Sequence, residues 1–155
     1  MIKLIMDSNF LVATFDSKDN WHPIAHSIAK ELNHPEIDLI NFDLILSETI
    51  SVLGRRMEEQ RRSSEFVYIL SEIRSKIPFD KISWLSLNTK EWYDEILNLI
   101  VQYEGKLNFN DAFLAICMQK NQVSYLISFD KDFDQVPWIE RIYEASQVSA
   151  LIKTV

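Results

Sequence analysis

The stretch that decides the fold is residues 2–9, which read IKLIMDSN. Four of its first five residues are apolar and two are β-branched, a pattern typical of a short buried strand. Three polar residues, Asp7-Ser8-Asn9, follow at once and predict that the strand runs into a turn. The aspartate placed directly after a buried strand is the first candidate for a functional group.

Strands and helices are predicted to alternate along the rest of the chain. Further strands are predicted at 37–42, 82–87, 125–129 and 141–144, and helices at 21–32, 43–57, 63–76, 89–103 and 108–120. Thr89 is the predicted N-cap of its helix. This alternation indicates an α/β protein, a three-layer α/β/α sandwich around a central, mostly parallel sheet of four to five strands. We expect residues 1–155 to form a single domain.

Composition excludes several classes of protein. The net charge of −7 argues against a protein that holds nucleic acid by diffuse positive charge alone. The only glycines, Gly54 and Gly105, cannot build a glycine-rich phosphate loop. A single cysteine, Cys117, rules out an internal disulfide, is expected in the core, and favours a cytoplasmic location. No apolar run is long enough for a membrane span.

Five acidic residues are placed where they could meet in the folded chain. Asp7 and Asp130 each follow the carboxyl end of a predicted strand, where parallel sheets bind ligands, and Asp132 lies close behind. Asp111 opens a helix, whose dipole favours its ionised form. Glu48 lies in an otherwise apolar helical stretch. Gathered carboxylates repel one another unless a cation holds them, and oxygen-only sites suit Mg²⁺ or Mn²⁺.

Each acidic residue also has an ordinary interpretation, as a turn residue or a helix cap. The other aspartates that we assign to ordinary roles are Asp16, Asp19, Asp38, Asp43, Asp80 and Asp94. A basic group could contact phosphates, although a solvated charged run is the plainer interpretation: Arg55, Arg56, Arg61, Arg62 and Lys131. His22 and His26 have helical spacing but no third zinc ligand, so surface histidines are expected. The four tryptophans form no spaced array for base stacking.

The order and context of the acidic residues resemble the PIN-domain ribonucleases, especially the VapC-type toxins of toxin–antitoxin pairs. The segments that carry the resemblance are IMDSN at 5–9, SE at 47–48, NDA at 110–112 and ISFDKDF at 127–133. It extends from the first strand to about residue 142, nearly the whole chain. No fragment is specific alone, but the ordered set at this length is.

The resemblance implies a function and a site. Asp7, Glu48 and Asp111 match the three acidic metal positions of the family, and the fourth is Asp130 or Asp132. Ser8 matches a small hydroxyl that bonds a carboxylate or a phosphate oxygen. The implied protein is a Mg²⁺- or Mn²⁺-dependent endoribonuclease that cleaves RNA with metal-activated water, pairs with an antitoxin and forms a homodimer. The alternatives are a PIN-like binding or regulatory module without catalysis, or a nuclease or phosphatase outside a toxin–antitoxin pair.

Overall fold

The computed structural model describes residues 1–85 and 88–154. Within these residues the strands form one parallel sheet: β1 Ile2–Met6, β2 Ile37–Phe42, β3 Ile82–Ser83, β4 Tyr125–Ile127 and β5 Glu140–Ile142. Their order in the sheet is β3-β2-β1-β4-β5, so β1 is central. The helices are α1 Ser8–Phe15, α2 His22–Glu31, α3 Asp43–Glu59, α4 Ser63–Lys76, α5 Thr89–Gln102, α6 Phe109–Lys120 and α7 Ala145–Ile152.

Both faces of the sheet are covered. Successive residues of a strand point to opposite faces, and the neighbours Leu4 and Ile5 of β1 are both fully buried. The same holds for Leu126 and Ile127 of β4. Around the sheet, α5 packs on α6, while α1 contacts α2 and α3, and α3 contacts α4. The predicted α/β/α sandwich and its parallel sheet are therefore confirmed.

The strand predictions were exact for β1 and β2 and less accurate for the other three strands. Strands β1 and β2 have the predicted bounds, whereas β4 ends two residues early and β5 is shifted to Glu140–Ile142. The predicted strand 82–87 keeps only Ile82–Ser83, which pair with Asn41 and Phe42 of β2. Its last two residues, 86 and 87, lie outside the described residues. Edge strands have one partner and are accordingly short.

Two helices were missed and one cap was wrong. The predicted turn after Asp7 is helix α1, which begins at Ser8 because the Asp7 side chain caps it. Helix α7 was also missed; it is only eight residues long. Helix α5 begins at Thr89, so its N-cap position belongs to Asn88. Among the described residues, none of the helices combines the length and apolar character needed to cross a bilayer.

The sheet topology brings four elements to one edge. Because all strands are parallel, their carboxyl ends lie together, with β4 paired to β1 through Met6 and Ile127. Helix α3 starts directly after β2, so its first turns lie at this edge. Helix α6 must reach the amino end of β4, so it starts at the carboxyl edge. The ends of β1 and β4 and the starts of α3 and α6 therefore surround one region.

The charged run at the end of α3 is only partly solvated, because Arg55 and Arg61 are exposed whereas Arg56 and Arg62 form ion pairs. Arg62 is 7% exposed, and its guanidinium lies 2.9 Å from Asp16 and 2.7 Å from Glu65. Asp16 caps the end of α1 and is 1% exposed. The Arg62 guanidinium helps hold the pKa of Asp16 below its usual range, against the effect of burial. Arg56 also pairs with Asp16, at 3.4 Å, and with Asp19. This ion-pair network ties α1 to the junction of α3 and α4.

Replacing Arg62 by methionine should destabilise the fold by about 3 kcal/mol, because it leaves the buried Asp16 carboxylate short of its main partner. The free energy of unfolding in urea measures this loss. Arg55→Met is the control, since Arg55 is exposed on the same helix end. Equal stability of the two variants would show that the Arg62 pair contributes nothing. The stabilisation is present above the ordinary aspartate pKa of 3.8 and is lost as the pH falls below it.

Candidate metal centre

Asp7 is fixed at the centre of the carboxyl edge by its own hydrogen bonds. Its Oδ1 accepts from the backbone N–H of Ser8 at 2.7 Å, which caps α1. Its Oδ2 accepts from Asn9 Nδ2 and from Ser128 Oγ, both at 2.7 Å. The side chain is buried, and burial raises its pKa to about 6 against these hydrogen bonds. The charges of Glu48 and Asp130 raise the pKa of Asp7 further.

Asp111 is held at the start of α6 by a capping box. Asn108 Oδ1 accepts from the Asp111 N–H, and Asp111 Oδ2 accepts from the Asn108 N–H, both at 3.0 Å. The helix dipole alone would lower the pKa of Asp111, as the sequence led us to expect. Instead burial raises this pKa to about 7, and the charges of Asp7, Asp130 and Glu48 add to the effect. Burial and like charge therefore outweigh the dipole here.

The fold places four of the five predicted acidic residues close enough to repel one another. Glu48 is half-buried in the second turn of α3, and Asp130 is half-buried three residues after β4. The charges of Glu48 and Asp130 raise the pKa of Asp7 and also the pKa of Asp111. Asp132 is exposed and lies in a short 3₁₀ helix, Lys131–Gln135, which Asp130 caps. The geometry thus favours Asp130 over Asp132 as the fourth acidic group.

Two polar residues that support Asp7 were not among the predicted site residues. Asn9 binds Asp7 and Ser128 through Nδ2, and its Oδ1 accepts from the Phe129 N–H at 3.0 Å. Ser128 is fully buried, and its Oγ accepts from the Asp130 N–H at 3.0 Å. Their positions in the sequence could have identified Asn9 and Ser128, because each closely follows a strand that ends at the carboxyl edge. Ser8 was predicted to act through its hydroxyl, but it is its backbone N–H that binds Asp7.

The carboxylate oxygens of this region suit a hard divalent cation as ligands. Three hydrogen bonds occupy part of the acceptor capacity of Asp7, and Asp111 Oδ1 takes no part in the capping box. Carboxylate oxygens on several elements are the ligands that Mg²⁺ and Mn²⁺ prefer. Within the described residues, however, no three acidic, histidine or cysteine side chains stand in metal-ligating geometry. The carboxylates interact electrostatically but do not form a closed ligand set.

The other candidate groups have structural roles. Cys117 is buried in α6, as expected. The His22 ring Nδ1 lies 2.7 Å from the Ala13 carbonyl, so it secures the start of α2.

Two arginines of the predicted basic group line clefts beside the acidic region. Arg56 lines a cleft with Ser8, Asn9 and Asp130. Arg55 lines a second cleft with Glu48 and Asn110. The acidic region is therefore flanked by two arginines of α3.

Asp111→Asn should raise the stability of the metal-free protein at pH 8, by on the order of 3 °C in Tm for each kcal/mol of repulsion removed. The folded-state pKa of Asp111 is raised from 3.8 to about 7, so its contribution to stability is present below about pH 4 and is lost as the pH rises through 7. The amide oxygen can keep the capping box. Thermal unfolding in EDTA at pH 5 and pH 8 measures the difference from wild type.

Asp132→Asn is the matched control for this experiment, because it removes one exposed carboxylate from the same edge. It should leave the pH dependence of Tm unchanged. A wild-type stability advantage over Asp111→Asn at pH 8 would contradict the repulsion among the carboxylates.

Comparison with known proteins agrees with this architecture. The PIN domain family profile matches residues 4–139. Ribonuclease VapC6 of Methanocaldococcus jannaschii is 24% identical over 154 aligned residues, covering 91% of this chain and 97% of that protein.

Two solved structures share the fold. One is VapC20 of Mycobacterium tuberculosis, described as a sarcin–ricin loop cleaving toxin; it has a TM-score of 0.67 at 19% identity and covers 88% of this chain and 97% of its own. The other is VapBC2 of Rickettsia felis bound to a DNA fragment of its promoter, with a TM-score of 0.66 at 13% identity, covering 91% and 98%. Divalent-metal dependence is a general property of PIN domains. Since the family profile spans most of its length, the chain belongs to the PIN domain family.

Proposed function

We propose that this protein is a metal-dependent endoribonuclease and the toxin of a type II toxin–antitoxin system. The observation that carries the proposal is the gathering of four carboxylates at the carboxyl edge of the sheet, where burial, and to a smaller extent their mutual repulsion, raises the pKa of Asp7 and Asp111. Strongly raised pKa values in a surface cleft are typical of functional sites. Family membership and the VapC relatives support RNA as the substrate.

The proposed ligands are Asp7, Glu48, Asp111 and Asp130, and the ion is Mg²⁺ or Mn²⁺. A divalent cation bound there would acidify water and neutralise charge on phosphate oxygens. Asp7 is the central ligand, because its position directly after β1 and its three hydrogen bonds allow it little freedom. We assign no ligand role to Asp132.

The neighbours of the carboxylates have supporting roles. Asn9 and Ser128 orient Asp7 from behind, as partners of metal ligands commonly do. Arg56 and the Ser8 hydroxyl share the cleft with Asp130 and are suited to bind phosphate oxygens of the RNA backbone. These contacts would position the scissile phosphate without reading its sequence.

A protein partner follows from the same proposal. The Rickettsia felis structure contains both components of a VapBC pair. In this chain an apolar cleft of about 430 Å³ lies between α3 and α4, and its rim carries Ile50 and Phe79, which are 36% and 75% exposed. Such exposed apolar surface is typical of a binding site for another protein. We assign it to the antitoxin, and a homodimer remains an expectation from the family resemblance.

The described residues share one apolar core cluster, which supports a single PIN-like domain over residues 1–155. A cytoplasmic location remains a prediction from the single cysteine. The alternative of a non-catalytic binding module makes a different prediction for the assay below, in which it would bind metal or RNA without cutting.

Wild-type protein should cleave total RNA only when Mn²⁺ or Mg²⁺ is added. Asp111→Asn should lower the rate more than about 100-fold, since losing even a partner of a metal ligand costs 10- to 100-fold. The cleavage rate of Ser128→Ala should lie between those of wild type and Asp111→Asn, because the substitution removes one hydrogen bond that orients Asp7. Cleavage rates on the same RNA preparation, resolved on denaturing gels, measure this series.

Asp132→Asn is the control and should cut at the wild-type rate, because Asp132 is exposed beyond the cluster. Full metal-dependent activity in Asp111→Asn would show that the site has been assigned wrongly. Metal binding by wild type without cleavage of any RNA would favour the non-catalytic module.

A further inference from the structure

A stacked aromatic pair stands beside the acidic region. The rings of Trp21 and Phe129 lie 4.7 Å apart at an interplanar angle of 12°. Phe129 comes directly before Asp130, donates its backbone N–H to Asn9 and packs against the buried Phe10 ring at 6.1 Å. Trp21 is therefore supported by a residue that is itself fixed to the site.

The position of Trp21, rather than its exposure, suggests a role. Its side chain is 48% exposed, and single exposed aromatic residues are common on protein surfaces. Trp21 and Phe129, however, form a wall shared by two clefts. The inner cleft, of about 310 Å³, contains Asp130, Arg56 and the α1 residue Asn9. The stacked pair thus borders the place where a scissile phosphate would bind.

The outer cleft, on the other side of the pair, combines aromatic rings with cations. It measures about 350 Å³ and is lined by Lys131, Asp134, Arg141 and Tyr143 in addition to the stacked pair. The Arg141 guanidinium lies 4.5 Å from the centre of the Tyr143 ring and is ion-paired with Asp134. Lys131 is exposed and has no ion pair within 4.0 Å among the described residues. In a chain with a net charge of −7, this is a local basic and aromatic surface.

This combination matches the chemistry of a single-stranded nucleotide. Bases stack on aromatic side chains whatever their sequence, and lysine binds the backbone phosphates as a point charge. A base inside an RNA duplex is stacked between its neighbours and cannot reach the ring. The outer cleft would therefore accept an unpaired base and exclude a duplex.

We propose that Trp21, backed by Phe129, is the stacking platform for an unpaired base adjacent to the scissile phosphate, with Lys131 bound to the neighbouring phosphate. The inference rests on the proposed function, because only a nuclease has a scissile phosphate, but the stacking itself requires no cleavage. Trp21 is a positioning residue and does not take part in the chemistry.

Binding without metal separates the two proposals. Fluorescence anisotropy of a short labelled single-stranded RNA is measured in EDTA, at low salt, so that no cleavage occurs. Trp21→Ala should weaken binding about tenfold, the loss expected for one base on one ring. Trp21→Phe should recover most of it. Trp84→Ala is the control, because Trp84 is 51% exposed and does not line either cleft.

Two further comparisons test the partners of the ring. Annealing the RNA to its complement should weaken binding by wild type and have little effect on binding by Trp21→Ala. Lys131→Met should reduce the slope of log affinity against log salt by about 0.7, the value for one phosphate contact on a single strand. Lys120→Met should leave the slope unchanged, since Lys120 is ion-paired with Glu95 at the far end of α6.

Each outcome decides one proposal. Weaker binding by Trp21→Ala together with no cleavage of RNA by wild type would remove the nuclease and keep the stacking platform. Cleavage by wild type with unchanged RNA binding in Trp21→Ala would overturn the platform alone. No binding of single-stranded RNA by wild type, or equal affinity for duplex and single strand, would also overturn it.

Discussion

The confinement of four carboxylates to one partly buried edge of the sheet is the constraint on which the proposed site depends. A parallel sheet collects the ends of its strands at one edge, and here the end of β1 carries Asp7 while the end of β4 leads to Asp130. The starts of α3 and α6 add Glu48 and Asp111. Burial makes the repulsion matter, because the effect of a neighbouring charge grows as water is excluded. The fold holds these groups together at a cost that a cation would remove.

The magnitudes indicate which effect dominates. The pKa of Asp7 rises to about 6 although three hydrogen bonds favour its ionised form, so burial and like charge together exceed those bonds. The change from 3.8 to about 6 corresponds to about 3 kcal/mol at a pH where the carboxylate is ionised. Asn9 and Ser128 limit this cost and fix the direction of the carboxylate. A side chain held so firmly is suited to serve as a metal ligand, because a ligand must keep its geometry when the ion binds.

How much the sequence predicted depended on the range of the interactions involved. The apolar runs of β1 and β2 and the periodic helix α4 were predicted to the residue, because their signal is local. Helix α1 was missed because its start depends on the Asp7 cap rather than on a periodic pattern. The burial of Arg62 against Asp16, 46 positions away, has no signature in either segment. The support of Asp7 by Ser128 is likewise long-range. Topology predicted that Asp7 and Asp130 lie at the same edge, whereas Glu48 and Asp111 were assigned to the site through the family resemblance.

The central claim is that the carboxylate cluster is a metal centre, and anomalous scattering from a crystal soaked in Mn²⁺ tests it most directly. We expect one or two anomalous peaks at the carboxyl edge, with oxygens of Asp7 and Asp111 bound directly to the metal and Glu48 or Asp130 completing the ligand set. Asp132 should not touch the metal. A soaked crystal without a peak among these four carboxylates, or with its metal bound elsewhere, would contradict the account.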